Sequence, residues 1–227
     1  MKVLYKDKDI LAIDKKSGIL VDEILEKFPK YILAHRLDRE TSGVMLLAKN
    51  NKAHEFLKKQ FQARTIKKVY NTIVSGNVKN DRGIINKPIG RSPADFRRRL
   101  AGRGARGEMR EAVTEYKVLK RFMASPAQNF SRFTRQNPTG SDTAKNLEQA
   151  KPFTYLEVRP KTGRTHQIRV HMKYLNHPVA GDSLYNPKEK GWGRMMLHAC
   201  SIEFKDLKGK SVKVESPLPK EFAKLLK

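Results

Sequence analysis

Asp38 is the first residue that could do chemistry, because it is a carboxylate placed between Arg36 and Arg39 in the segment AHRLDRETSG. A cation within about 4–6 Å of a carboxylate favours its ionised form, and an ionised, oriented aspartate is a suitable nucleophile or base. The same charges also fit an ordinary ion pair that only holds a turn. The pattern therefore indicates either covalent carboxylate catalysis or a structural turn.

Two further stretches carry reactive side chains. Tyr70 lies in the middle of KKVYNTIVS, where it is either a half-buried strand aromatic or a ring that contacts a ligand. The block GRTHQIRVH contains Arg164 and Arg169, and isolated arginines usually lie on a solvated or phosphate-binding surface. His166 and His171 are five residues apart, about 140° around a helix, whereas zinc pairs use a spacing of four. We therefore predict no metal site.

These blocks together resemble the RluA-type pseudouridine synthases, which carry HRLD followed by TSG and a GRTHQIRVH block. The segments HPVAGDSLY, from His177, and Leu197-His198-Ala199 match two further motifs of that family. The resemblance runs in order from about Val3 to Phe204. It implies an α+β catalytic fold, with a mixed, mostly antiparallel sheet flanked by helices and loops around a central RNA-binding cleft. It also implies that uridines in RNA are isomerised to pseudouridine, without a cofactor.

The resemblance also assigns roles to residues. It implies that Asp38 is catalytic, that Tyr70 stacks on the target base, and that Arg164 pairs with Asp38. Arg169, on a different face of the helix predicted for 165–175, would then hold phosphate or structure. The other residues that we expect to contact the substrate are His35, Arg36, Arg39, Arg91, Arg97, Arg98 and Leu197.

The chain departs from the family pattern at three positions. The family usually has Asn-Lys-Pro near residue 15, where this chain has Asp14 and Lys16 around Lys15. We expect that loop to survive without the proline, although with less rigidity. Asn186 replaces a glycine that often follows the family's tyrosine. The S4 domain common in the family is not expected here, because the catalytic segment already begins at Val3.

The elements that must position these residues follow from periodicity. A hairpin is predicted at the N-terminus, and Gly43, which can adopt angles closed to other residues, should allow a tight turn before a buried strand. A helix is predicted over 51–61. Strands are predicted at 67–75, 112–119, 153–158, 197–204 and 211–215, and a short helix at 221–226. Residues 81–108 are predicted to be a loop, with a flexible basic part at about 90–110, and 123–148 a long insertion. We expect one domain over residues 1–227.

Composition narrows the partner and the compartment. The formal net charge is +25 over 227 residues, which favours nucleic acid or an acidic membrane as the partner. No apolar run approaches the length of a membrane span, and Cys200 is the only cysteine, which fits a reducing compartment. We expect a cytoplasmic, monomeric enzyme that acts on ribosomal or transfer RNA. The alternatives are a non-catalytic RNA-binding or chaperone protein and an RNA hydrolase that uses Asp38.

Overall fold

A computed structural model describes residues 1–125 and 150–226, and this part of the chain contains thirteen strands and four helices. The strands are β1 (Lys2–Lys6), β2 (Ile10–Lys15), β3 (Ile32–Leu33), β4 (Ser42–Ala48), β5 (Lys67–Ser75), β6 (Arg82–Asn86), β7 (Ile89–Arg91), β8 (Arg99–Ala101), β9 (Arg106–Arg110), β10 (Val113–Ala124), β11 (Lys151–Pro160), β12 (Leu197–Lys205) and β13 (Ser211–Glu215). The helices are α1 (Val21–Lys27), α2 (Asn51–Gln62), α3 (Gln167–Tyr174) and α4 (Lys220–Leu226).

Ten of these strands form one sheet, in the order β1-β2-β4-β12-β5-β11-β10-β6, with β3 paired to β4 and β13 to β12. Its paired neighbours are antiparallel, except that β4 and β12 run parallel over two residue pairs. The second half of β12 then pairs with β13 from Ser201 onwards. The predicted α+β class with a mixed, mostly antiparallel sheet is confirmed.

Strand β4 is buried along its whole length, as its apolar run predicts. Gly43 lies at φ +114°, and a Cβ built on it would stand 2.1 Å from the carbonyl oxygen of Ala199. Only glycine tolerates both that angle and that approach. Gly43 therefore permits the parallel contact with β12 that closes the sheet behind the Asp38 loop.

Two hydrophobic cores lie on either side of the sheet centre. One contains Leu46 of β4 and Leu57 of α2, and the other contains Leu156 of β11 and Met172 of α3. Tyr70 packs against both cores. The side chain of Tyr70 on β5 therefore links two of the hydrophobic clusters of the described residues.

The prediction of a loop over residues 81–108 is wrong. This segment contains β6, β7 and β8 and the start of β9, and the last three form a separate sheet in the order β8-β7-β9. Gly102 and Gly104 have positive φ angles in the turn between β8 and β9, and Gly107 has one inside β9, where the pairing with β7 shifts register. The glycines that suggested an irregular loop therefore allow a tight turn and a local irregularity in a small sheet. The region at 90–110 that we expected to be flexible is this small sheet.

The other predicted elements are largely confirmed. Asn50 caps α2 through its side chain. Strand β10 runs further than predicted, because it pairs with β11 as far as Ala124. The predicted insertion therefore starts inside a strand, and residues 126–148 lie outside the described part of the chain. Helix α1 and strand β3 were not predicted. Within 1–125 and 150–226, no helix is long and apolar enough to cross a membrane.

Replacing Gly43 by alanine should lower the free energy of unfolding by about 2–6 kcal/mol, because backbone strain and overpacking add at this position. Gly209 is the matched control: it has φ +82° but open space around its Cβ position. Gly209→Ala should therefore cost only about 1 kcal/mol. Urea denaturation of both variants measures the difference, and equal losses would contradict the close approach of β4 and β12.

Candidate active site

A cleft of about 590 Å³ opens where five parts of the chain meet. They are the loop 34–41 between β3 and β4, the end of α2 with the loop up to residue 66, the first half of β5, the loop 160–166 with the start of α3, and the first residue of β12. Asp38, Tyr70, Arg164 and Leu197 all line this cleft. The sequence motifs that are far apart in the chain are therefore brought to one place.

The loop that carries Asp38 is anchored from beneath. Leu37 is buried in the core, and the amide of Thr41 donates to the carbonyl of Asp38 at 3.1 Å. The Nε2 atom of His35 accepts a hydrogen bond from the amide of Leu46 at 3.0 Å. Burial and the charge of Lys68 lower the pKa of His35 to about 3. His35 therefore stays neutral and ties the loop to β4.

Lys15 is the functional residue that sequence reasoning missed on this side of the cleft. Its side chain is fully buried, and its amine donates to the carbonyls of Lys16, Arg39 and Thr41 at 3.1, 2.7 and 2.8 Å. Burial lowers its pKa to about 8, while the charges of Glu40 and Asp38 oppose the shift. Lys15 therefore ties the loop 15–18 to the Asp38 loop without the family's proline. The available sequence signal was a lysine at the end of a strand whose first four residues are apolar.

Arg169 is the cation that holds Asp38. Its side chain is almost completely buried, and its Nη1 donates to Oδ2 of Asp38 at 3.2 Å. Its Nε and Nη2 bind both oxygens of Asp182 at 2.7 and 2.8 Å. Burial lowers the pKa of Arg169, but hydrogen bonds and charge from Asp182, with the charge of Asp38, raise it above its usual range. The guanidinium therefore stays charged and has one N–H directed at Asp38.

The prediction that Arg164 pairs with Asp38 is wrong. Arg164 lies in the loop before α3, and its Nε donates to the carbonyl of Glu111 at 2.9 Å. The helix begins at Gln167 and not at 165, because His166 adopts a left-handed conformation with φ +57°. Arg164 therefore lines the cleft from the loop, whereas Arg169, predicted to hold phosphate or structure, is the residue that turns toward Asp38.

Tyr70 and Leu197 form the apolar side of the cleft. Tyr70 is half-buried, and Leu197 is 3% exposed. Burial raises the pKa of Tyr70 above its usual range, and the nearby charge of Asp38 adds to the shift. The phenol is therefore protonated at neutral pH. These two side chains offer a flat ring and an aliphatic wall beside a carboxylate.

His166 and Tyr185 complete the surroundings of Asp38, and neither was predicted as a site residue. The Nε2 of His166 lies 3.9 Å from Oδ1 of Asp38, and its Nδ1 is 3.0 Å from the hydroxyl of Tyr185. Burial lowers the pKa of His166, although the charge of Asp38 opposes the shift. The guanidinium of Arg169 lies 5.1 Å from the Tyr185 ring centroid. The sequence signal that could have identified them is their position inside the GRTHQIRVH and HPVAGDSLY blocks.

The cleft is strongly basic. Among the described residues that line it, one side chain is acidic, Asp38, and six are lysine or arginine: Arg36, Arg64, Lys68, Lys161, Arg164 and Arg169. Lys68 donates to the carbonyl of Thr162 at 3.2 Å, and burial lowers its pKa to about 8. This balance suits a polyanionic ligand.

The predicted substrate-contact residues are divided between several places. Arg36 is exposed in the cleft and makes no hydrogen bond or ion pair within the described residues. Arg39 lies outside the cleft lining and pairs with Glu40 at 3.0 Å. Three more, Arg91, Arg97 and Arg98, lie on the small sheet and do not line the cleft. In residues 1–125 and 150–226, no group of three His, Cys, Asp or Glu side chains is placed to bind a metal.

Asn186, which departs from the family pattern, has a clear structural partner. Its side-chain amide donates to the Ser75 hydroxyl at 3.0 Å and to Glu189 at 2.8 Å. Asp14, another of the three departures, accepts a hydrogen bond from the Ser216 hydroxyl at 2.8 Å. Both substitutions are therefore accommodated by local hydrogen bonds.

The segments that carry Asp38, Tyr70 and Arg169 fall within the region that is similar to known proteins. Residues 25–174 match the family model described as RNA pseudouridylate synthase. The whole chain is 30% identical over 249 residues to an RNA pseudouridine synthase of Bacillus subtilis, YlyB, and spans 72% of that protein. It is 32% identical over 259 residues to ribosomal large subunit pseudouridine synthase D of Xanthomonas campestris, again over its full length and 68% of the relative.

A solved structure agrees with these relatives. The chain resembles human RNA pseudouridylate synthase domain containing 1 with a TM-score of 0.77 and 26% identity. The match covers 96% of this chain and 83% of the human one.

The Arg169–Asp182 pair should matter more for folding than the Asp38 contact. Asp182→Asn should lower the free energy of unfolding by about 3–5 kcal/mol, because it leaves a buried arginine without its charge partner. Asp38→Asn should change the free energy of unfolding by less than about 1 kcal/mol, because this side chain is partly exposed and has a single contact with Arg169. Chemical denaturation of both variants tests this order, and a larger loss for Asp38→Asn would contradict it.

Proposed function

The chain belongs to the RNA pseudouridylate synthase family, and from that premise we propose that it isomerises specific uridines in a structured RNA through Asp38. The observation that carries the proposal is the contact between Asp38 and a buried arginine, in a basic cleft that also contains Tyr70. The cleft thus combines an oriented carboxylate, an aromatic ring and cations for phosphates.

The substrate uridine must leave its stack before a side chain can reach its sugar, at a cost of a few kcal/mol. The cations of the cleft offset this cost by binding the phosphates on either side. Arg36 is exposed, and its side chain makes no hydrogen bond or ion pair within the described residues, so its guanidinium is available to fill the gap or to hold the neighbouring backbone. The cleft thus selects an extruded nucleotide.

The reaction breaks the N1–C1′ bond of uridine and forms a C5–C1′ bond to the same sugar. C5 loses a proton and N1 gains one, so atoms and electrons balance within the nucleoside. Asp38 acts on the ribose either as a nucleophile at C1′ or as a base at C2′, and both routes require its ionised form. Arg169 favours that form and orients the carboxylate through a charge-assisted hydrogen bond.

Tyr70 and Leu197 act on the detached uracil. The raised pKa of Tyr70 keeps its phenol protonated, which supports stacking and hydrogen bonding and argues against a phenolate base. Leu197 excludes water from the reactive sugar, which limits hydrolysis. Because no group or electron leaves the nucleoside, we propose that neither metal nor cofactor is required.

Similarity to a relative named ribosomal large subunit pseudouridine synthase D favours ribosomal RNA over transfer RNA as the substrate. A ribosomal substrate would place the enzyme in the cytoplasm. We also propose that the enzyme acts as a monomer. The rival functions make different products: an RNA-binding chaperone forms no pseudouridine, and a hydrolase leaves strand breaks or abasic sites.

Asp38→Asn and Asp38→Ala should abolish pseudouridine formation, with a loss of at least about 10⁴-fold, because neither side chain can attack or deprotonate the sugar. RNA affinity should change by less than about threefold. Mapping of modified uridines after incubation with ribosomal RNA measures turnover, and a filter-binding assay measures affinity. Full activity in either variant excludes this mechanism.

Arg169 and Arg164 should respond differently to the same conservative change. Arg169→Lys keeps the charge but loses the guanidinium fork, so kcat should fall about 100-fold through misplacement of Asp38. Arg164→Lys should change kcat by less than about threefold, since Arg164 does not contact Asp38. Single-turnover rates at saturating enzyme separate the two, and circular dichroism checks that both variants are folded. Equal effects on kcat would contradict the assignment.

A further inference from the structure

A second groove, of about 1070 Å³, lies between the small sheet and α3, outside the cleft described above. One wall is formed by β8 and the turns on either side of it, and the other by the outer face of α3. On that face Val170, Lys173 and Tyr174 are three and four residues apart, so their side chains lie side by side. The proposed reaction takes place in the cleft around Asp38 and does not use this groove.

The groove is basic throughout. Among the described residues that line it, none is acidic, and five are lysine or arginine: Lys87, Arg98, Arg99, Arg103 and Lys173. Arg98 is partly neutralised by Asp95 at 3.5 Å. Lys87, Arg103 and Lys173 are exposed and have no acidic partner within the described residues. Three unpaired cations around one concave surface repel one another, so an anionic ligand there would be stabilised.

An aromatic ring stands between these cations. Tyr174 is 43% exposed at the end of α3, with the amine of Lys87 5.8 Å from its ring centroid. Exposed tyrosine on a basic groove is the combination that binds single-stranded nucleic acid, since bases stack on the ring while cations contact phosphates.

The groove and the cleft share one dividing residue. Tyr185 lines the groove, and its hydroxyl accepts a hydrogen bond from the amide of Arg99 at 2.8 Å. The same hydroxyl contacts His166, and the ring covers the guanidinium of Arg169. A ligand in the groove therefore lies one side chain away from the residues that hold Asp38.

We propose that this groove is a second RNA-binding site, which holds a single-stranded segment of the substrate away from the target uridine. Lys87, Arg103 and Lys173 bind its phosphates, and Tyr174 stacks on a base. The inference rests on the proposed function for the identity of the polyanion. It assigns to the small sheet the task of substrate selection.

The test compares the double variant Arg103→Gln/Lys173→Gln with the control Lys2→Gln/Lys6→Gln. The control removes two exposed lysines from β1, which lies at the edge of the main sheet opposite β6. Purified large-subunit ribosomal RNA is the probe, and Kd is measured from 50 to 200 mM salt. The groove variant should bind at least about tenfold more weakly at 50 mM salt, with a salt slope lower by about 2. The control should bind within about twofold of the unchanged protein.

Tyr174→Leu separates stacking from charge. It should weaken binding about 5- to 100-fold with an unchanged salt slope, and it should raise KM for pseudouridine formation while leaving kcat within about twofold. Thermal melts confirm that each variant is folded. Affinity equal to that of the β1 control for both groove variants overturns the second site.

The two proposals fail in different ways. If the unchanged protein binds ribosomal RNA but forms no pseudouridine, and the groove variants still lose affinity, the groove stands and the proposed reaction fails. If pseudouridine forms normally and the groove variants bind as the control does, the reaction stands and the second site is excluded. A groove variant that instead loses affinity for anionic lipid vesicles, and not for RNA, assigns the groove to a membrane and overturns the proposal.

Discussion

The buried ion pair between Arg169 and Asp182 is the interaction on which the site depends. Two charges in the interior are stable only when their hydrogen-bonding capacity is filled. Asp182 meets that condition, because it accepts two bonds from Arg169 and two from the amides of Leu184 and Tyr185. The guanidinium is thereby held in place with its Nη1 directed at Asp38. A cation held in this way orients a carboxylate without reorganising when a ligand binds.

The rest of the fold places this pair opposite the Asp38 loop. Gly43 lets β4 approach β12, and Lys15 donates hydrogen bonds to carbonyls of the Asp38 loop. Tyr70 packs against both hydrophobic clusters. Each of these residues is buried or half-buried, so its position is set by packing and not by the loop itself. The Asp38 carboxylate is therefore partly exposed on a buried support, which is the arrangement that precise positioning requires.

Charge is distributed in two ways over the molecule. Around Asp38, Arg169 is paired with Asp182 and Arg64 with Glu111 at 2.8 Å, so part of the positive charge is used to hold structure. Along the groove between the small sheet and α3, Lys87, Arg103 and Lys173 have no acidic partner within the described residues. The net charge of +25 is thus divided between cations that build the site and cations that are free to contact phosphate.

The sequence by itself determined the elements and residues whose signals are local. The apolar run after Gly43 predicted β4, the apolar spacing over 51–61 predicted α2, and the HRLD motif, through its resemblance to the family, indicated Asp38 as the candidate catalytic carboxylate. Only the tertiary structure decided which arginine meets Asp38, since a left-handed His166 moves the start of α3 and turns Arg169 inward. Only the tertiary structure also revealed the small sheet, because its strands are too short to show a periodicity in the sequence. The same holds for the contacts that Lys15 and Asp182 make. Both are charged residues that burial makes structural, and burial depends on packing between segments distant in the chain.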